Sequence, residues 1–234
     1  MPAPPAYRDA DPGTPFISDE LQVFTEKGAW RCKSCIHAPM MLTGMLLAGG
    51  RSRRMGRDKA TMTIEGEPLW QRQLRLLREL SPEVPWVSAR TNPPWCPSNV
   101  GLVLDEPPSR GPLSGLAAGL RRLRTSHLLV LAIDLPRVSV EHLRRLWGVA
   151  GPGMGVIPLS DGRFEPLCAI YPAEAAPLAQ EALESSDASL QHLARILLNR
   201  SRAQEYLLTQ DERSLYLNLN MPSDLPTKSS ADTV

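Results

Sequence analysis

The stretch Leu46-Leu47-Ala48-Gly49-Gly50-Arg51-Ser52-Arg53-Arg54-Met55-Gly56-Arg57-Asp58-Lys59-Ala60 decides the reading of this chain, because an apolar strand empties directly into a glycine-rich, cationic loop. Such a junction suits the phosphates of a nucleoside triphosphate. Gly49 and Gly50 lack a Cβ, so the backbone there can adopt positive φ and bring N–H groups close to phosphate oxygens. Arg51, Arg53, Arg54 and Lys59 add positive charge, and a guanidinium grips phosphate through two hydrogen bonds at once. The spacing is neither G-x-x-x-x-G-K-[ST] nor G-x-G-x-x-G, so the P-loop and the dinucleotide fingerprint are both excluded for this loop. A basic surface turn after a core strand is the alternative. Arginine supplies nearly all the positive charge of the chain, and Lys59 is the only lysine between Lys33 and Lys228. A compact ammonium kept at this point supports a chemical role for it.

Outward from the loop, short apolar runs alternate with amphipathic stretches. Residues 45–48, 84–89, 102–104 and 128–133 read as strands. Residues 69–80 read as a helix closed by Ser81-Pro82, residues 113–123 as a helix with Pro112 in its first turn, and residues 140–149 as a third. Further on, strands are expected at 155–159 and 166–171, and helices at 173–184 and 190–198. This order predicts an open, mostly parallel α/β sheet with helices on both faces, whose ligands bind beyond the carboxyl ends of the strands. The glycine loop, Asp105 and Asp134 all fall on that edge.

The chain has 234 residues, 42% of them hydrophobic, enough for one sizeable core. A formal net charge of +1 gives no field suited to nucleic acid. No apolar run approaches the roughly 20 residues that span a bilayer, and no signal peptide is recognisable at the start, so a cytoplasmic protein with no membrane contact is expected. Residues 1–40, interrupted by Pro2, Pro4, Pro5, Pro12 and Pro15, read as a disordered extension; 41–226 form the domain and 227–234 a flexible tail. Four cysteines are too few and scattered for a disulfide scaffold. Cys32-Lys33-Ser34-Cys35-Ile36-His37 offers half of a zinc site, but no second pair stands at usable spacing.

The loop resembles the signature L-A-G-G-x-S-x-R-M-G-x-D-K of the molybdenum cofactor guanylyltransferases, members of the nucleotidyltransferase group. Further pieces extend the resemblance over about residues 43–225: Ala132-Ile133-Asp134-Leu135-Pro136, the segment from Asp105 to Gly111-Pro112-Leu113-Ser114-Gly115, Glu165-Pro166-Leu167-Cys168-Ala169-Ile170-Tyr171, and Asn218-Leu219-Asn220-Met221-Pro222-Ser223-Asp224-Leu225. Met221, Ser223 and Arg137 depart from the family pattern. The resemblance implies a Rossmann-like nucleotidyltransferase sheet and transfer of GMP from GTP to the terminal phosphate of molybdenum-bearing molybdopterin, with pyrophosphate released. Partner proteins would be those of molybdenum cofactor biosynthesis or molybdoenzyme maturation.

Transfer of this kind must neutralise several negative charges and hold attacking and leaving oxygens in line. Lys59 and Arg54 are the expected charge stabilisers, with Asp134 as the ligand of Mg²⁺, a cation that takes one or two carboxylates and fills its other positions with water and phosphate. The nucleotide is expected to meet Leu47, Ala48, Gly49, Gly50, Arg53, Lys59, Asn92, Asp105 and Asp134. Three plainer readings stay open: Asp134 as a helix N-cap in competition with Ser139, Asp105 as a solvated turn acid, and Asn92 as an Asx turn before Pro93-Pro94. Ala48-Gly49-Gly50, where related cytidylyltransferases typically carry Ala-Ala-Gly, favours GTP. A cytidylyltransferase of the same fold and a non-catalytic nucleotide-binding protein are the rival functions.

Overall fold

The computed structural model describes residues 22–24, 30–32, 39–49, 58–106 and 108–219. Residues 1–39 form a unit of their own, and the segment expected to be disordered contains two short strands there. These are β1 (Gln22–Phe24) and β2 (Trp30–Cys32), paired antiparallel with Val23 opposite Arg31. Cys35 and His37 lie outside the described residues.

The second unit begins at Met40. Its elements run β3 (Leu42–Leu47), a 3-10 turn (Lys59–Thr61), β4 (Thr63–Ile64), β5 (Glu67–Pro68), α1 (Leu69–Leu80), β6 (Trp86–Ala89), β7 (Gly101–Leu104), α2 (Pro112–Arg122) and β8 (His127–Ala132). There follow α3 (Val140–Val149), β9 (Gly155–Ser160), β10 (Arg163–Phe164), β11 (Cys168–Pro172), α4 (Ala175–Glu184), α5 (Leu190–Asn199), β12 (Ala203–Leu207), α6 (Gln210–Arg213) and a 3-10 turn (Ser214–Tyr216).

An eight-stranded sheet orders its strands β10-β9-β11-β8-β3-β6-β7, with β12 beside β9. β8, β3, β6 and β7 are mutually parallel, and β11 turns antiparallel against β8 and β9. Successive β8 residues point to opposite faces, and both faces are covered. Leu129 and Leu131 join α1 and α3 in one apolar cluster, whereas Leu128 and Val130 join α2, α4 and α5 in the other. Burial on both faces is why β3 and β8 are nearly continuous apolar runs, interrupted by the polar residues Thr43 and His127, instead of alternating ones.

Helix boundaries follow local chemistry. Gly111 takes a left-handed φ of 81° just before Pro112, which stands at the start of α2 where its missing N–H costs nothing. Ser139 caps α3 by accepting the His142 N–H, and Ser189 caps α5 by accepting that of His192. Among the described residues no helix is long and apolar enough to cross a membrane.

Candidate active site

The chain leaves β3 toward β6 and β7 on one side and returns to β8 on the other, so strand order reverses between β3 and β8. A crevice opens at the carboxyl ends of strands around such a reversal. A cleft of about 300 Å³ lies there, lined by Leu47, Gly49, Ser88, Arg90, Asp105, Gly111, Pro112, Gly115, Ala132, Ile133, Asp134 and Leu167.

On the β8 side the turn carrying Asp134 is pinned from three directions. Ile133 N–H donates to Leu47 O (3.1 Å), and Leu219 N–H donates to the carbonyl of Asp134 itself (2.9 Å). From α1, buried Gln73 Nε2 donates to Leu135 O (2.8 Å) and Arg72 Nε to Pro136 O (2.9 Å). Asp134 does not cap α3, since Ser139 does. Its carboxylate is left to face Lys59, whose Nζ is 3.5 Å from Oδ2, with the two side chains 18% and 26% exposed. Lys59 opens a 3-10 turn capped by Asp58, which accepts Ala60 N–H on one oxygen (3.0 Å) and Trp95 Nε1–H on the other (2.7 Å). A cation and a carboxylate are thus held together on rigid backbone yet within reach of a ligand.

On the β6–β7 side, Asp105 accepts a hydrogen bond from Ser109 Oγ (2.8 Å), so it is an oriented group at the cleft wall and not merely a solvated turn acid. The first turns of α2 come close: a Cβ on Gly115 would collide with Ser88 Oγ and stand 3.2 Å from Asp105 Oδ1. At Gly49 the situation differs, because a Cβ there would meet Ala89 Cα at 3.8 Å and Asp105 Oδ2 at 3.9 Å, ordinary contact distances. Positive φ, expected of Gly49, is not found there; among the described glycines it falls at Gly66, Gly111, Gly153 and Gly162. Gly49 therefore keeps cleft space open instead of making a tight turn.

Of the residues singled out from sequence, the cleft gathers Leu47, Gly49, Asp105 and Asp134, with Lys59 joined through its ion pair. Ala48 packs behind the cleft, its N–H bonded to Ser88 O at 2.9 Å. Asn92 is exposed and absent from the lining; the β6 end instead contributes Arg90. Gly50, Arg53 and Arg54 lie outside the described residues, as do Asn220, Met221, Pro222, Ser223, Asp224 and Leu225 of the last motif. Sequence reasoning missed Arg90, Ser88 and Gln73. For Arg90 a signal existed, since the first residue beyond a parallel strand faces this edge. For Gln73, a lone amide on an apolar helix face gave no hint of its partner.

Among the described residues no three His, Cys, Asp or Glu gather as a metal-binding group. One or two carboxylates on an otherwise open cleft is a poor donor set for zinc but fits Mg²⁺, which keeps waters and phosphate oxygens as its remaining ligands.

A second groove of about 570 Å³ shares Pro112 and Leu167 with the cleft and is lined also by Arg163, Glu165, Gln191, Tyr216 and Asn218. Burial pushes the Glu165 carboxyl above the usual range, an effect that the charge of Arg163 offsets in part. Gln191 is spent on structure, donating to Phe164 O (2.8 Å) and accepting Phe164 N–H (3.3 Å).

Solved structures that share this fold include proteins named as a nucleotidyl transferase and as a cytidylyltransferase. 4-Diphosphocytidyl-2C-methyl-D-erythritol synthase from Anaerococcus prevotii matches with a TM-score of 0.58 at 11% identity, covering 82% of this chain and 95% of that one, a likeness of fold alone. Molybdopterin-guanine dinucleotide biosynthesis protein A from Archaeoglobus fulgidus matches with a TM-score of 0.58 at 25% identity, over 79% of this chain and 94% of that one. Residues 44–204 match the family model of the MobA-like NTP transferase domain. The chain is also 36% identical over 186 residues to the "Probable molybdenum cofactor guanylyltransferase" of Opitutus terrae, covering 78% of this chain and 92% of the relative. With the molybdenum cofactor guanylyltransferase of Cereibacter sphaeroides it shares 33% over 194 residues, covering 80% and 94%. This chain belongs to the MobA-like NTP transferase family.

Proposed function

We propose that this enzyme transfers GMP from GTP to the terminal phosphate of molybdenum-bearing molybdopterin, yielding the guanine dinucleotide form of the cofactor and pyrophosphate. The observation that carries this reading is the Lys59–Asp134 pair at the strand-order reversal of a chain from this family. An oxygen of the acceptor phosphate attacks the α-phosphorus of GTP while the bond from that phosphorus to the β-phosphate bridging oxygen breaks. The leaving pyrophosphate takes the bonding pair. Lys59, released from Asp134 when phosphate arrives, neutralises charge on the triphosphate, and Arg53 and Arg54 are proposed to add to it. Asp134 would hold Mg²⁺, with Asp105 nearest the nucleoside. Bound there, Mg²⁺ supplies charge neutralisation at phosphate oxygens. No side chain forms a covalent intermediate in this scheme. The second groove, continuous with the cleft through Pro112 and Leu167, is the natural seat of the acceptor.

The test is competitive: initial rates of dinucleotide formation with equal GTP and CTP, Mg²⁺ present and molybdopterin as acceptor. A preference for GTP is expected. Equal use of both nucleotides contradicts the guanylyl reading and leaves nucleotidyl transfer standing, whereas no product with either contradicts the enzyme.

A further inference from the structure

The β6–β7 end of the cleft carries two groups of opposite hydrogen-bonding character. Asp105, fixed by Ser109, can only accept. Arg90 can only donate, and its Nε is buried with no hydrogen-bond partner among the described residues. A buried guanidinium nitrogen left unpaired is costly, and such a group at a cleft wall calls for a ligand acceptor. Polyphosphate is a poor occupant of this end, because the Asp105 carboxylate would repel it. A nucleobase is a good one, since its edges present donors and acceptors side by side. Guanine in particular offers the acceptors O6 and N7, the pair that a guanidinium grips with two hydrogen bonds, together with N1–H and an exocyclic amine as donors. Adenine puts an amine beside N7, which would set donor against donor at Arg90.

We propose that Arg90 is the base-reading residue of the nucleotide site, donating to O6 and N7 of guanine, with Asp105 bounding the same end of the cleft. The inference rests on the guanylyl reading above and goes beyond it by assigning base recognition to a residue that the sequence motifs did not single out. Asn92, the residue expected near the nucleoside, is exposed and outside the lining. Gly49 completes the arrangement. The position where its Cβ would stand is 3.9 Å from Asp105 Oδ2 and 4.0 Å from the backbone nitrogen of Arg90, so the missing methyl leaves space beside the Asp105 carboxylate and the main chain of Arg90.

The experiment is equilibrium binding of GTP and of 7-deaza-GTP, which lacks only the N7 acceptor, to the wild type and to Arg90→Met, alongside wild-type turnover with GTP and CTP. The wild type is expected to bind 7-deaza-GTP about tenfold more weakly than GTP. Arg90→Met is expected to bind GTP about tenfold more weakly than the wild type and to treat GTP and 7-deaza-GTP alike. The wild-type arm needs no variant, and Arg90→Lys, which keeps charge but loses the fork, should bind GTP weakly as well if Arg90→Met does not fold. Turnover that prefers GTP, together with equal wild-type binding of GTP and 7-deaza-GTP, overturns the role of Arg90 and leaves the guanylyl reading intact. The same holds if Arg90→Met retains the wild-type penalty for 7-deaza-GTP. Equal turnover of GTP and CTP overturns the guanylyl reading and this proposal with it.

Discussion

The two halves of the sheet do different work. In the parallel half, β3, β6, β7 and β8 all deliver their carboxyl ends to one edge, so Gly49, Arg90, Asp105 and Asp134 meet around one cleft although they are far apart in sequence. In the antiparallel half, β11 and β9 alternate in direction, and the residues that β10, the β10–β11 connection and the start of α5 contribute help to form a broader groove that shares only Pro112 and Leu167 with the cleft. Parallel strands concentrate chemistry at one end because every carboxyl terminus lies there. Antiparallel strands spread it. Under the proposed mechanism, transfer chemistry belongs to the parallel edge and the other half would seat the acceptor.

Lys59→Ala separates the halves most sharply. Removing one phosphate-directed cation from a partly buried site should lower turnover about 10²- to 10³-fold while the melting temperature stays nearly unchanged. Wild-type-like turnover would break the division of labour. Next comes the support beneath the parallel edge: Gln73→Leu strips Leu135 O of its 2.8 Å donor and should cost roughly 1–3 kcal/mol of stability, read from denaturant unfolding.

Acidification tests the apolar packing that backs both halves. Burial holds the His127 and His142 imidazoles below their ordinary value of 6.5. The unfolded chain therefore takes up protons first as pH falls, and stability, full above 6.5, declines below it by at most about 1.4 kcal/mol per pH unit for each histidine. Unfolding midpoints from pH 8 to 5 should show a plateau and then a fall. His142→Gln should flatten that fall. A flat profile for the wild type would contradict the burial argument. The smallest effect is expected in the antiparallel half, where Glu165→Gln should raise the KM for the acceptor about threefold and leave GTP affinity unchanged. A shift in GTP affinity instead would mean that the groove and the cleft act as one.

The parallel half was legible in the sequence because burial on both faces demands unbroken apolar runs. Residues 128–133 stand out for that reason and differ from the observed strand by one residue at either end, whereas 102–104, in the edge strand that exposes Leu104, falls short only by Gly101. The antiparallel half was harder. β12 reads Ala-Gln-Glu-Tyr-Leu, with Leu207 71% exposed, so no apolar run or clean alternation announces it. The β9–β10 hairpin did carry a signal: Asp161-Gly162, both at positive φ, is the two-residue turn that a right-twisted hairpin prefers. Glu65-Gly66 does the same between β4 and β5. At the site, strand-end acids were readable from position alone. The Lys59–Asp134 pairing was not, since it depends on a turn set by Asp58 and Trp95 and on a backbone bond from Leu219.

The central claim, that Asp134 at the strand-order reversal governs metal-assisted transfer, is tested most directly by titrating turnover with Mg²⁺ in the wild type and in Asp134→Asn, which removes the charge and keeps the shape. The variant is expected to need far more Mg²⁺ for half-maximal rate and to fall about a hundredfold or more short at saturation. An Mg²⁺ titration identical to that of the wild type would contradict it.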